Sequence, residues 1–276
     1  MLAATRGSGA RNMVEVTIIL PTFNEVLNVR PLIEELEVAV AGWSFEILVV
    51  DDDSPDGTSR EVEKLTEKFA NLRLIVRRSD HGLVPSLRDG IRAARGNIVV
   101  WMDADQSMRP AEVPQLLDAI RHGHDLAFGS RYVLGGSMKG GGEQVGWRGV
   151  VQTLRNIQRS QDSFWSVFVS LVGNMVVRFA LDRRFYDYTS GFYAVRKEVF
   201  NTIHLEGRYL DYCISLLYKT SVHGFRIAEL PSIVLVRQLG ESKTSSGLFD
   251  LFPLIFQCFK MVRSLRRYGR AVSYDK

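Results

Sequence analysis

The sequence predicts an α/β domain built on a mostly parallel sheet flanked by helices, and three observations carry that reading. Apolar, β-branched runs alternate with stretches whose apolar residues recur three or four apart. The order, strand then helix repeated along the first half, is the rhythm of parallel strands covered on both faces. Carboxylates and turn residues follow the strands, and ligands of such sheets gather at the carboxyl ends of the strands.

Strands are expected at 14–20, 45–50, 72–76, 97–102 and 125–128, where Val, Ile, Leu and Phe dominate. Helices are expected at 26–40, 59–69, 85–94 and 111–121. Leu20 leads into Pro21-Thr22-Phe23-Asn24-Glu25, and Val50 into Asp51-Asp52-Asp53-Ser54-Pro55-Asp56-Gly57-Thr58. Met102 leads into Asp103-Ala104-Asp105, and Phe128 into Gly129-Ser130-Arg131-Tyr132. From Gly135 the rhythm changes. The Gly-rich run 135–142 lacks the Gly-Lys-Ser/Thr ending of a phosphate loop, and reads either as a mobile active-site loop or as a flexible linker. A helical pair is expected at 144–159 and 164–179, then Thr189-Ser190-Gly191-Phe192, a helix at 209–222, a strand at 225–236 and a C-terminal helix.

Composition narrows the class. With 46% hydrophobic and 24% charged residues in a chain of 276, disordered, collagenous and disulfide-scaffold readings are excluded. Cys213 and Cys258 sit among bulky apolar residues and supply neither a zinc set nor a disulfide framework, which suits a reducing compartment. No nucleic-acid-binding module is present. Residues 1–12 have no apolar core of a signal peptide. The stretches 164–181 and 248–265 approach spanning length, but Asn174 and Arg178 interrupt the first, and Asp250, Pro253, Lys260 and Arg263 the second. The second has an apolar side (Leu248, Phe252, Ile255, Phe259, Val262) followed by Arg266, Arg267 and Arg270. It reads either as a helix lying in a membrane interface or as a core-packed helix with a solvated basic end.

Asp103 and Asp105 alternate where a buried strand ends, so both carboxylates can turn toward one hard cation, Mg²⁺ or Mn²⁺, of the kind shared with substrate phosphates. Asp51, Asp52 and Asp53 repel one another unless something offsets them. They read as turn and cap residues or as acceptors for a nucleobase or ribose. Arg131, Arg237 and Lys243 follow strands in loops and are candidates to grip a diphosphate. His122 and His124 flank Gly123 at a helix end, a C-cap arrangement.

Taken in this order, Pro21–Glu25, Asp51–Thr58, Asp103–Asp105, Gly129–Tyr132, Thr189–Phe192 and Arg237 through Gly240-Glu241-Ser242-Lys243 resemble family 2 glycosyltransferases. More narrowly, they resemble dolichol-phosphate mannose synthases and other polyprenyl-phosphate glycosyltransferases. The resemblance implies a GT-A fold over 14–246, with a nucleotide-sugar half near 14–132 and an acceptor half near 133–246. Residues 1–13 would be a flexible tail and 247–276 an amphipathic basic helix and tail. It implies inverting transfer from a nucleotide sugar, GDP-mannose or alternatively a UDP-sugar, to a polyprenyl phosphate.

By the same resemblance Pro21, Phe23, Glu25, Asp52 and Ala104 would contact the nucleotide sugar. Asp103 and Asp105 would hold Mg²⁺ or Mn²⁺, with Ser107 adding an oxygen. Asp105, Arg131, Arg237 and Lys243 would act in catalysis, and Asn174, Thr189, Ser190 and Gly191 would shape the acceptor side. The resemblance implies peripheral attachment at the cytoplasmic face of a membrane, with a membrane-anchoring subunit as a possible partner.

The sequence departs from the family in three places. Asp53 replaces the usual Gly of Asp-Asp-Gly-Ser, and Asp80-His81-Gly82-Leu83-Val84 replaces Lys-Gly-Leu-Gly. Leu171 stands at the position of a phosphate-binding Arg, for which Arg155, Arg159 or Arg178 could substitute. A phosphate monoester is largely dianionic at neutral pH, since its second pKa is about 6, so such an acceptor needs no general base. A sugar hydroxyl acceptor would need one. That acceptor, or a non-catalytic nucleotide-sugar-binding subunit, is the alternative.

Overall fold

Alternation along each strand sends neighbouring side chains to opposite faces of the sheet. Val16, Ile18 and Leu20 enter one hydrophobic layer and Ile19 the other; Ile98 and Val100 oppose Val99 and Trp101 in the same way. The computed structural model describes residues 14–138, 173–207, 211–235 and 251–274.

The elements in chain order are β1 (Val16–Thr22), α1 (Val26–Ala39), β2 (Phe45–Asp51), α2 (Thr58–Lys68), β3 (Leu72–Val76), α3 (Leu83–Ala93) and β4 (Ile98–Trp101). A 3₁₀ turn (Pro110–Glu112), α4 (Val113–Arg121), β5 (Leu126–Ser130) and β6 (Ser137–Met138) follow. Then come α5, described over 173–180, and β7 (Tyr193–Arg196), a 3₁₀ turn (Lys197–Asn201), α6 (Asp211–Val222), β8 (Ile227–Pro231), β9 (Ile233–Val234) and α7 (Leu251–Tyr274).

The main sheet runs β3-β2-β1-β4-β7-β5-β8, with β7 antiparallel to both neighbours and every other pairing parallel. Its strand order reverses between β1 and β4, so the crevice at their carboxyl ends is where a ligand of an open α/β sheet binds. Helices α1, α2 and α4 cover one face, while α3, α6 and α7 cover the other. On the second face Trp101, Tyr193 and Phe128 lie side by side in register on β4, β7 and β5. Their rings stack at 5.1 and 5.7 Å between centroids, an arrangement that adds to the burial of three large side chains.

The fold departs from the sequence expectation in two described places. β7 was not anticipated from the sequence: four residues are too few to show a period, and its strand character comes from the two partners that flank it. The strand expected at 225–236 breaks at Ser232, which donates its backbone N–H to Ser130 O (2.9 Å) and its hydroxyl to Glu112 Oε2 (2.6 Å). β9 therefore leaves the main sheet and pairs with β6, inside the Gly-rich run. The expected helix at 144–159 lies outside the described residues.

The described part of α7 packs against α6. Val262 and Leu265 are buried in the core, and Tyr268 Oη lies 2.7 Å from His223 Nε2. Lys260, Arg263, Arg266, Arg267 and Arg270 face solvent. Val262, on the apolar side read as facing either a membrane interface or the core, belongs to the core, and over 260–273 the core-packed reading holds. Leu248 and the side chains of Phe252, Ile255 and Phe259 lie outside the described residues.

Candidate active site

The loops after β1 and β2 form one unit. Asn24 N–H donates to Ser54 Oγ (2.9 Å), Glu25 N–H to Thr58 Oγ1 (2.9 Å) and Val26 N–H to Asp56 Oδ2 (3.0 Å). Asp51, fully buried, accepts the hydroxyls of Thr22 (2.8 Å), Ser54 (2.6 Å) and Ser59 (2.7 Å) together with Ser54 N–H (2.9 Å). It is a turn organiser, one of the two roles expected of the acidic run. Asp56 binds the Thr58 hydroxyl and N–H at the start of α2. Glu25 is buried and accepts from Asn28 Nδ2 at 2.7 Å, while Phe23 is exposed beside it.

Asp52 is held from the β3 side. Its Oδ1 accepts from Arg77 Nη1 and Ser86 Oγ (2.8 Å), and its Oδ2 from Gly82 N–H (2.6 Å). Gly82 has φ of +139°, a conformation open to glycine. Arg77 also binds Asp89 (2.8 Å). Burial acts against the charge of Arg77, but the Asp89 and Asp52 carboxylates outweigh it and raise its pKa. Sequence reasoning missed Arg77; the signal was an unbalanced acidic run, which requires a cation nearby.

Among the described residues, the non-glycine positions with positive φ are Asn24, Asp53, Asp80 and Gln106, one in the loop after each of β1, β2, β3 and β4. Left-handed backbone concentrates where strain serves a site. All four lie on the edge where the expected site residues gather. Asp53 at φ +56° occupies a conformation that suits glycine, which accounts for the family's Gly there.

After β4, Ala104 is buried, and Asp105 Oδ1 accepts Ser107 N–H at 3.0 Å. Trp101 anchors this end of the strand through Nε1–H to Tyr212 Oη (3.2 Å). Gly191 packs against the turn so closely that a β-carbon there would lie 3.6 Å from Asp103 Oδ2 and 3.2 Å from the Met108 methyl. Ser107 O accepts Leu235 N–H (2.8 Å), so the chain passes beside the Asp105 turn just before Arg237. Arg237 and Lys243 themselves lie outside the described residues.

Asp103 and Asp105, two residues apart in the loop after β4, bring two hard carboxylate donors to the ligand edge, a donor type that fits Mg²⁺ or Mn²⁺. No cluster of three or more His, Cys, Asp or Glu able to hold a metal occurs among the described residues. A pair completed by substrate oxygens is the arrangement for an ion that arrives with its phosphates.

Arg131 is not simply a solvated cation. Its Nε and Nη2 form a two-pronged bond to Asp187 (both 2.7 Å), its backbone N–H reaches Asp187 Oδ2 (3.1 Å), and Nη2 also donates to Thr189 Oγ1 (2.6 Å). Asp187 is fully buried. Burial acts to raise its pKa, but the Arg131 guanidinium and backbone donors hold it below the ordinary value. Asn174, expected on the acceptor side, clasps this loop: Oδ1 accepts Tyr188 N–H (2.8 Å) and Nδ2 donates to Tyr186 O. Glu229 accepts the N–H groups of Tyr186 and Asp187 (2.9 Å each), and burial, with Asp187 nearby, raises its pKa against those donors. Ser190 Oγ accepts Phe192 N–H (3.2 Å).

Asp187 and Glu229 were missed by sequence reasoning. Asp187 stands two residues before Thr189, but nothing local pairs it with an arginine 56 positions away; Glu229 lies in a strand and gave no signal. Of the candidates to replace an arginine at Leu171, Arg178 stacks 3.7 Å over the Tyr186 ring, whereas Arg155, Arg159 and Leu171 lie outside the described residues. His122 and His124 place Nδ1 at 2.7 and 3.0 Å from the carbonyls of Asp118 and Ala119, the expected C-cap.

Solved structures share this architecture. Glucosyl-3-phosphoglycerate synthase from Mycobacterium tuberculosis, in a complex with Mn²⁺, UDP-glucose and phosphoglyceric acid, superposes with a TM-score of 0.63 at 17% identity, covering 95% of this chain and 85% of that one. Mannosyl-3-phosphoglycerate synthase from Rubrobacter xylanophilus gives 0.58 at 20%, covering 93% and 75%. These likenesses establish the GT-A type of fold. In sequence, the chain is 32% identical over 250 residues to a dolichol-phosphate mannosyltransferase of Pyrococcus furiosus, covering 90% of this chain but 64% of that protein's length. It is 32% identical over 268 residues to an undecaprenyl-phosphate mannosyltransferase of Micrococcus luteus, covering 95% and 97%. A polyprenol monophosphomannose synthase of Mycolicibacterium smegmatis is 34% identical over 239 residues, covering 83% and 81%. The profile of glycosyl transferase family 2 matches residues 17–203, a span that holds every described strand-end loop from Thr22 to Phe192, and the chain belongs to that family.

Proposed function

We propose that this chain transfers mannose from GDP-mannose to a polyprenyl phosphate, with inversion at the sugar carbon. One observation carries the reading most: the segment 187–191 joins the two halves of the site. Asp187 and Thr189 bind Arg131 at one end, and Gly191 packs against Asp103 at the other. The proposed phosphate-binding cation and the proposed metal-binding carboxylates are thereby linked through one five-residue segment. Relatives over most of the chain are named for polyprenyl-phosphate mannose transfer.

In the proposed reaction a phosphate oxygen of the lipid attacks the anomeric carbon from the face opposite the nucleotide. The bond from that carbon to the diphosphate oxygen breaks, and GDP leaves with the electron pair. Asp103 and Asp105 would hold a divalent ion, which supplies neutralisation of the diphosphate charge. Arg131 donates from its Nη1 edge to an acceptor or leaving phosphate, and Arg237 and Lys243 add positive charge. Pro21, Phe23, Glu25 and the Asp52 loop form the nucleoside side. The dianionic acceptor needs no base, in keeping with the carboxylates seen here: Asp187 is tied to Arg131, Asp52 to Arg77, and Glu229 to two backbone donors.

No helix among the described residues is long and apolar enough to cross a membrane, and attachment through the basic face of α7 is part of the proposal. The test is transfer of radiolabelled mannose from GDP-mannose into an organic-extractable product, with and without excess chelator. Lipid-linked product that disappears with chelator and with Asp105→Ala, by about a hundredfold or more, is expected. Label transferred only to water-soluble acceptors would favour a hydroxyl acceptor instead, and no transfer at all would favour a binding subunit.

A further inference from the structure

Arg131 has five N–H donors in its guanidinium. Three are committed: Nε and one Nη2 hydrogen to Asp187, the other Nη2 hydrogen to Thr189. Among the described residues nothing accepts from Nη1, and the side chain is 17% exposed. The fork can therefore reach an anion along one edge only. Asp187 is itself fixed from behind, since Glu229 holds the N–H groups of Tyr186 and Asp187 while Asn174 holds Tyr188 N–H and Tyr186 O.

We infer that Asp187 is a positioning residue: it orients the Arg131 guanidinium so that the Nη1 edge faces the substrate phosphate. The inference rests on the transfer reading above. The pairing also sets the charge. Arg131 and Asp187 together are neutral, so Arg131 contributes directed hydrogen bonds more than net attraction, and its effect falls on the geometry of the transition state. A neutral partner at 187 adds a net positive charge and would strengthen ground-state attraction for a phosphate while releasing the fork.

The two effects separate in kinetics. In the full-length enzyme, Asp187→Asn is expected to lower kcat about a hundredfold while KM for polyprenyl phosphate stays unchanged or falls. Asp187→Glu restores part of kcat. Arg131→Lys loses a similar factor, and the Asp187→Asn/Arg131→Lys double variant is no worse than Arg131→Lys alone. A kcat within about twofold of wild type in Asp187→Asn, or losses that multiply in the double variant, overturns the inference. If Asp187→Asn does not fold, Thr189→Val removes a single acceptor from Nη2; a several-fold loss of kcat at unchanged melting temperature supports the inference, and an unchanged kcat overturns it. If wild type transfers nothing to polyprenyl phosphate, the functional reading fails on its own. Side-chain NMR then decides the positioning: the Arg131 Nε–H should exchange with water slowly in wild type and at least about tenfold faster in the folded variant, and equal exchange overturns it.

Discussion

Arg77 Nη1 donates to Asp52 Oδ1, and both side chains lie almost wholly out of solvent. The pair ties the loop after β2 to that after β3 beneath the proposed nucleoside side. Removing one member of a buried pair leaves the other charge uncompensated, at a cost of about 3–5 kcal/mol. Arg77→Ala is expected to destabilise the protein on that scale in denaturant unfolding and to weaken nucleotide binding. A loss below about 1 kcal/mol would mean that Asp52 finds solvent or another donor.

Asp53→Gly should stabilise. The residue is exposed and has φ of +56°, where an L side chain is strained, and the substitution also removes one of three adjacent carboxylates. The expected gain is about 0.5–1 kcal/mol. A fall in melting temperature would show that the Asp53 carboxylate makes an interaction worth more than the backbone strain.

Stability should depend on pH through two opposed sets of carboxyls. Glu37 has a buried Oε1 without a partner, and burial raises its pKa against a hydrogen bond from Asn71. A raised carboxyl pKa means that ionisation costs stability once pH exceeds the unfolded value, about 4.3. Glu37→Gln should thus be more stable than wild type at pH 7, with the gap closing toward pH 4. Asp187 and Glu46 behave oppositely. Burial acts to raise both, but Arg131 outweighs it at Asp187, as do Arg95 N–H, Arg73 and Thr17 at Glu46, so both pKa values are lowered. Their contribution is full above the unfolded value and is lost as pH falls through the folded one. Acid unfolding of wild type below about pH 4 is the expected outcome, and urea midpoints across pH 3–8 check both signs.

The basic face of α7 should bind acidic membranes without the helix leaving the core. Val262 and Leu265 are buried while Arg263, Arg266 and Arg267 are exposed. Charges near an anionic surface contribute about 1 kcal/mol each, screened by salt. Replacing the three arginines by Gln should reduce co-sedimentation with phosphatidylserine vesicles at low salt and leave the melting temperature unchanged. Equal, negligible pelleting of wild type and variant would remove this face as a membrane contact. By contrast, Leu265→Ala should cost about 2–5 kcal/mol of stability.

Much of this protein was legible in the chain itself. Periodicity fixed β1 through β5 and α1 through α4, because those elements bury alternate or helically spaced residues and their pattern is local. The strand-end motifs Pro21–Glu25, Asp51–Thr58, Asp103–Asp105 and Gly129–Tyr132 marked the ligand edge, because parallel strands put all their carboxyl ends on one side. What the sequence could not decide was pairing. Tyr193–Arg196 is a strand because β4 and β5 both bind it; nothing in four residues announces two distant partners. The acidic run at 51–53 divides into a turn organiser, an ion-paired carboxylate and a left-handed turn residue only once Ser59 and Arg77 are brought up to it. Arg131 stood in the sequence as a loop cation able to grip a diphosphate, and only the fold set Asp187 against it from 56 positions away. Hydrogen bonds and ion pairs between remote segments depend on where the backbone carries each group. Local pattern determined which elements form, and tertiary structure alone determined which charges meet.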